Sequence, residues 1–143
     1  MLQRIQSVFL LLASVVSVGI IFIFPLWNQG ETSVFALDTI TNTKVVIKPI
    51  GILFIISAIL SLYTIFQFKN RKLQFVLNRL NIILNFLLLG FIVYQTQNLS
   101  GETLVSEKGI GSFLPIATIF LLAIANRFIK KDEDLVKSVD RLR

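Results

Sequence analysis

The stretch NRLNIILNFLLLGFIVYQTQ, residues 78–97, decides how the chain is read. Between Arg79 and Glu102 no residue is charged. The run is apolar enough to cross a bilayer, which takes about 20 residues at 1.5 Å rise for a hydrocarbon core of about 30 Å. Three further stretches share this character, between Arg4 and Glu31, between Lys48 and Lys69, and between Lys108 and Arg127. The last is the shortest, at about 18 residues, so its helix should cross nearly upright or borrow length from the stem of Arg127. The expected fold is therefore an all-α membrane protein, one domain over residues 1–143. Four transmembrane helices at about 6–26, 48–67, 75–95 and 112–129 form an antiparallel bundle.

Composition agrees. A hydrophobic fraction of 55% and a mean hydropathy of +0.79 lie above the range of soluble globular chains. With no Cys and no His, the sequence excludes disulfides, Cys or His metal centres, thiol nucleophiles, imidazole acid–base chemistry and His-ligated haem. The formal net charge is +6, but the cations flank the apolar runs and form no soluble basic patch, so nucleic acid is not the expected partner. Of the 14 Lys and Arg, Lys44, Lys48 and Lys108 fall on one side of the expected membrane and the rest on the other. By the positive-inside rule both termini are cytoplasmic. The first span reads as an uncleaved helix, because its apolar run from Val8 to Phe24 exceeds a signal h-region and no A-x-A site precedes Trp27. Trp27 and Tyr94 are expected near the outer interface and Tyr63 nearer the inner one.

In the first outer loop, β-prone SVFAL and KVVI flank the polar segment DTITNT, which suggests a short hairpin turning there. The second, TQNLSGETLVSEKGIG, reads as irregular. The inner connection FKNRKLQ is short enough to make its two helices antiparallel neighbours.

Every Asp and Glu falls in a loop or in the tail. Proton-coupled carriers place an ionisable group at membrane depth, and hydrolases pair carboxylates in a pocket; neither arrangement is present, and no nucleotide, zinc-protease or serine-hydrolase motif occurs. The expectation is a protein that is not an enzyme, with no cofactor and no metal. The most polar intramembrane feature is Asn78, Asn81 and Asn85, spaced to share one helical face, with Arg79 about one turn from the cytoplasmic edge. Two readings apply: a polar path or headgroup site, or asparagines that bridge neighbouring helices at about 0.6 kcal/mol per bond. Ala13 with Ser17, and Ser57 with Ser61, have the small-xxx-small spacing of closely packed helices.

In the tail, Phe128, Ile129, Leu135, Val136, Val139 and Leu142 fall within an arc of roughly 140° at about 100° per residue. Asp132 falls inside that arc, so a boundary is expected there: Asp132 as an N-cap, then a short amphipathic cytoplasmic helix over about 132–143 with Glu133 and Lys137 as an i,i+4 pair. That helix reads as lying on the membrane surface, docking on a partner protein or on the same bundle's cytoplasmic face, or fraying. Its nearly balanced charge is less than anionic-lipid adhesion ordinarily uses.

The start MLQRIQSVFLLLA and the end ANRFIKKDEDLVKSVDRLR, with FPLW leaving the first helix, resemble the signature ends of the domain of unknown function 4293 family, small four-helix inner-membrane proteins of Bacteroidota. The resemblance covers the whole chain and implies membrane location, four helices and a bacterial inner membrane, with no established activity to carry over. The positions it marks are Gln3, Arg4 and Gln6 at one end, and Asn126, Arg127, Lys131, Asp132, Glu133, Asp140 and Arg141 at the other. The functional expectation is an accessory or scaffold protein whose cytoplasmic polar ends contact lipid headgroups or a membrane or cytoplasmic protein partner. The alternative is a small oligomeric transporter or channel using the Asn78, Asn81 and Asn85 face.

Overall fold

Pro25 has no N–H to donate and disfavours helix at the residue before it, so the first apolar run has to stop short of it. In the computed structural model, which describes residues 2–29, 31–41, 45–99 and 110–143, α1 spans Leu2–Phe22. It closes with the N–H groups of Ile23 and Phe24 both donating to the Gly19 carbonyl. The helix thus lies nearer the N-terminus than the expected 6–26. α3 (Lys48–Phe66) and α5 (Leu114–Arg141) each carry a proline, Pro49 and Pro115, in the first turn, where a missing N–H breaks no helical bond. α4 (Arg71–Leu99) begins earlier than expected because Asn70 caps it, its Oδ1 accepting the Leu73 N–H at 3.3 Å.

The first connecting segment corrects the sequence reading. A hairpin is present, but its antiparallel strands are β1 (Trp27–Gln29) and β2 (Thr32–Val34), with Trp27 opposite Val34. Residues 38–41 of the segment expected to be its turn lie in a short helix, α2 (Ala36–Thr41), and its last two residues fall outside the described ones. Asp38 explains the helix, since its Oδ2 accepts the Phe35 N–H at 3.0 Å, the returning half of a capping box. The Trp27 ring is buried, 2% exposed and packed with Leu26, Ala36, Ile50 and Phe54. α2 lies directly on α3 at Gly51, where an added Cβ would stand 2.5 Å from both the Ala36 carbonyl and Thr39 Oγ1. The second outer loop lies mostly outside the described residues; its end is a 3-10 turn, Ile110–Ser112, whose Gly111 N–H donates to the Pro25 carbonyl at 3.0 Å.

Most buried positions on the long helices recur at spacings of three and four, with Ser14, Gly51, Ala58 and Thr96 buried beside them. The recurring positions are Gln6, Leu10, Ala13 and Ser17 on α1; Ile50, Phe54, Ser57, Ser61 and Thr64 on α3; Gln74, Asn78, Asn81, Asn85, Leu88, Ile92 and Gln95 on α4; and Pro115, Thr118, Leu122, Ala125 and Ile129 on α5. This is the 3.5-residue seam of helices that supercoil about a common interior. The helices touch in a closed cycle, α1 with α3, α3 with α4, α4 with α5, and α5 with α1. Leu26, Trp27, Ile50, Phe54, Leu88 and Ile92 fill one end of the interior. Leu10, Ala13, Leu122 and Ala125 form a second apolar cluster, and amides and hydroxyls occupy the levels around it.

The outward faces are apolar: Val15, Ile59, Ile83, Phe86 and Phe120 are each more than half exposed. α3 and the Arg71–Asn98 stretch of α4 are long and apolar enough to cross a membrane, while the Arg4–Gly19 stretch of α1 is shorter. α5 joins an apolar first half to a charged second half without a break at Asp132, so the separately capped tail expected at about 132–143 is absent. The boundary is unnecessary because the apolar arc containing Asp132 faces a cation.

Candidate functional site

The α4 seam meets the small residues of α3 through a closed set of hydrogen bonds. Ser57 Oγ donates to Asn81 Oδ1 at 2.7 Å, and Asn81 Nδ2 donates to Ser61 Oγ at 2.7 Å and to the Ser57 carbonyl at 3.2 Å. Asn85 Nδ2 donates to Ser57 Oγ at 2.8 Å and to the Asn81 carbonyl at 2.9 Å. Serine fits this face because a longer side chain would hold the helices apart, and its hydroxyl takes up amide valences that hydrocarbon could not.

Nearer the end that carries both termini, the seam turns to α5. Asn78 Nδ2 donates to the Leu122 carbonyl at 2.9 Å and to Asn126 Oδ1 at 3.0 Å. Gln74, one turn further, donates from Nε2 to the Thr64 carbonyl at 3.2 Å, inside the last turn of α3. Gln6 belongs to the same level: it lies one turn below Leu10 as Asn78 lies one turn below Ile82, and Leu10 and Ile82 share a cluster. Both polar atoms of the Gln6 amide, together with Gln74 Oε1 and Asn78 Oδ1, are buried without a side-chain or backbone partner. Each such atom costs about 1–3 kcal/mol relative to a bonded one.

An ion pair closes this end. Arg71 Nε stands 3.0 Å from Asp132 Oδ2, which ties the start of α4 to the middle of α5's charged half. One residue on, Glu133 Oε1 pairs with Lys137 Nζ at 2.9 Å. The hydrogen bond from Lys137 holds the Glu133 carboxyl below its ordinary value and raises Lys137 above its own.

Of the remaining positions marked by the sequence, Arg79 and Arg127 come together and Arg4 stays apart. Arg79 and Arg127 line an open groove of about 450 Å³ between α4 and α5, with Lys130, Asn126 and an apolar wall that includes Ile82, Ile83 and Ala123. The Arg79 guanidinium rests 4.5 Å above the Phe75 ring, an attractive placement over a negative π face. Arg4 lines a different groove with Ile65 and Phe66 of α3. The two ends are nonetheless packed together, Phe9 stacking on Phe128 with centroids 5.6 Å apart. Lys131, Asp140 and Arg141 are exposed, and the side chain of Gln3 lies outside the described residues.

Sequence reasoning missed Arg71, Asn70 and Gln74. Gln74 continues the 4-3-4 spacing of Asn78, Asn81 and Asn85 by one step, a signal that was available. Among the described residues no buried side chain is ionisable and no group of three His, Cys, Asp or Glu is placed to hold a metal ion. The seam can therefore bridge helices, and the groove can offer positive charge beside an apolar wall. A family model described as Domain of unknown function (DUF4293) matches residues 2–142. No curated protein and no solved structure matches the chain.

Proposed function

The chain belongs to the DUF4293 family, and we propose from that premise that it is an integral inner-membrane protein, a four-helix bundle with both termini cytoplasmic. On this reading α1, α3, α4 and α5 all cross the bilayer, and the protein is a non-enzymatic accessory or scaffold. Its basic cytoplasmic end contacts a partner protein or lipid headgroups. One observation carries the reading: the helices are polar within and apolar without. Asn81 and Ser57 are fully buried while Phe86 and Phe120 are at least 60% exposed. In water so much exposed apolar surface is an association hazard; in hydrocarbon it is solvated, and interhelical hydrogen bonds among small residues hold the helices.

The transporter reading needs the Asn face to be open to a solute. Its Asn81 and Asn85 amides instead donate within the protein, which favours bridging. Cross-linking mass spectrometry in native membranes should capture a reproducible partner or lipid at Lys131 and Lys137. A chain with no such neighbour, and with residues 132–143 removable without consequence, would sink the scaffold role. Liposomes containing the wild-type chain should show no solute flux above empty vesicles; flux abolished by Asn81→Leu would establish the alternative.

A further inference from the structure

The α4–α5 groove holds three cations with no carboxylate to neutralise them. Arg79, Arg127 and Lys130 are all exposed along it, and among the described residues none has an acidic partner. Of the next three carboxylates on α5, Asp132 is engaged with Arg71 and Glu133 with Lys137, while Asp134, one turn beyond Lys130, forms no ion pair with it. Like charges gathered at one site repel unless an anion joins them. The geometry fits an oxyanion, because Arg forks bind phosphate oxygens in pairs and Phe75 holds the Arg79 plane in place.

The remainder of the groove is apolar. Ile82, Ile83 and Ala123 continue the wall away from the cations, and Phe86, one turn beyond Ile82, and Phe120, one turn before Ala123, are exposed apolar residues further along the two helices. A free phosphate would leave this wall unused; a partner peptide would have to be both acidic at one end and lipophilic at the other. An acyl chain attached to a phosphate supplies both chemistries in the observed order.

We propose that the α4–α5 groove is a binding site for an anionic phospholipid, its phosphate held by Arg79, Arg127 and Lys130 and an acyl chain laid along Ile82, Ile83 and Ala123. This deepens the headgroup contact proposed above and rests on the membrane reading. Basic pockets between helices at the cytoplasmic face are a general solution for acidic headgroups.

The test uses the full chain purified in mild detergent, with lipid retention read by native mass spectrometry. Phosphatidylglycerol should be held about tenfold more tightly than phosphatidylcholine of the same acyl chains. Arg79→Gln/Arg127→Gln/Lys130→Gln should remove that preference; all three side chains are exposed, so folding should survive. Lys69→Gln/Lys72→Gln/Arg143→Gln removes the same charge elsewhere and should keep it. Ala123→Trp fills the groove with every cation retained, and should also lower phosphatidylglycerol retention about tenfold. Equal retention of the two lipids, a preference that survives the triple Gln variant, or phosphatidylglycerol retention unchanged in Ala123→Trp, overturns the site. Carbonate extraction of cell membranes decides the underlying reading separately: a chain that stays in the pellet yet shows no lipid preference overturns the groove alone, and a chain that is released overturns both.

Discussion

Arg71 Nε and Asp132 Oδ2 stand 3.0 Å apart, joining the first turn of α4 to α5 beyond its last buried residue, Ile129. The pair is partly exposed, at 26% and 13% for the two side chains, so solvent screening limits its worth to about 1 kcal/mol. Its larger effect is local. Asp132→Ala and Arg71→Ala should each speed hydrogen exchange over residues 130–141, and the double variant should be no worse than either single one. Additive effects in that cycle would show that the two residues act independently.

The Ser57, Asn81 and Asn85 bonds should behave as one unit. Asn81→Leu leaves the Ser61 hydroxyl and an Asn85 donor short of partners, and is expected to destabilise the fold by about 1–3 kcal/mol in detergent unfolding. Ser57→Ala made in the Asn81→Leu background should cost less than Ser57→Ala alone. Equal costs in both backgrounds would mean that the seam is not coupled.

Gln6 reverses the sign. Its buried amide lacks a partner at both polar atoms, so Gln6→Met, which keeps the volume and removes the unpaired groups, should stabilise the protein by about 1 kcal/mol. A loss of stability would show that Gln6 is bonded in solution.

Gly51→Ala places a methyl 2.5 Å from the Ala36 carbonyl and 2.6 Å from Ile40 Cγ1, so α2 has to lift from α3. The expected cost is about 1–3 kcal/mol. Trp27, the single tryptophan, reports it: acrylamide quenching should rise in Gly51→Ala and stay unchanged in Gly19→Ala, where nothing lies within 4 Å.

The Glu133–Lys137 bond sets a pH window for the end of α5. The lowered Glu133 contributes fully above its ordinary 4.5 and loses its contribution as pH falls through the depressed value. The raised Lys137 contributes fully below 10.5 and loses its contribution as pH rises through the elevated value. Helical Cα shifts at Leu135–Val139 should therefore be flat between those limits, and the acid step should shrink in Lys137→Gln.

The sequence made the long helices legible because each contains a charge-free apolar run, and it made the Asn face legible because amides are rare in such runs. The α3 start at Lys48 was readable to the residue, with Pro49 behind it. What escaped depended on contacts far apart in the chain. Asp132 looked like a helix stop because an acid on an apolar arc has no local partner; Arg71, 61 positions earlier by the numbering, supplies one. DTITNT looked like a turn because strand propensity around it is high, but Asp38 caps a helix that α3 accommodates only through Gly51. The groove was half visible: Arg79 and Arg127 were each singled out, and only the Asn78–Asn126 bond shows that they sit at one level.

The absence of native cysteine makes labelling in intact cells the most direct test of the membrane reading. Single cysteines at Glu31, Ile59, Asn70 and Ser138 should divide three ways under a membrane-impermeant maleimide. Glu31→Cys should label from outside, Asn70→Cys and Ser138→Cys only after the membrane is opened, and Ile59→Cys not until the protein is denatured. Labelling of Ser138→Cys from outside, or of Ile59→Cys in the native chain, would contradict the account.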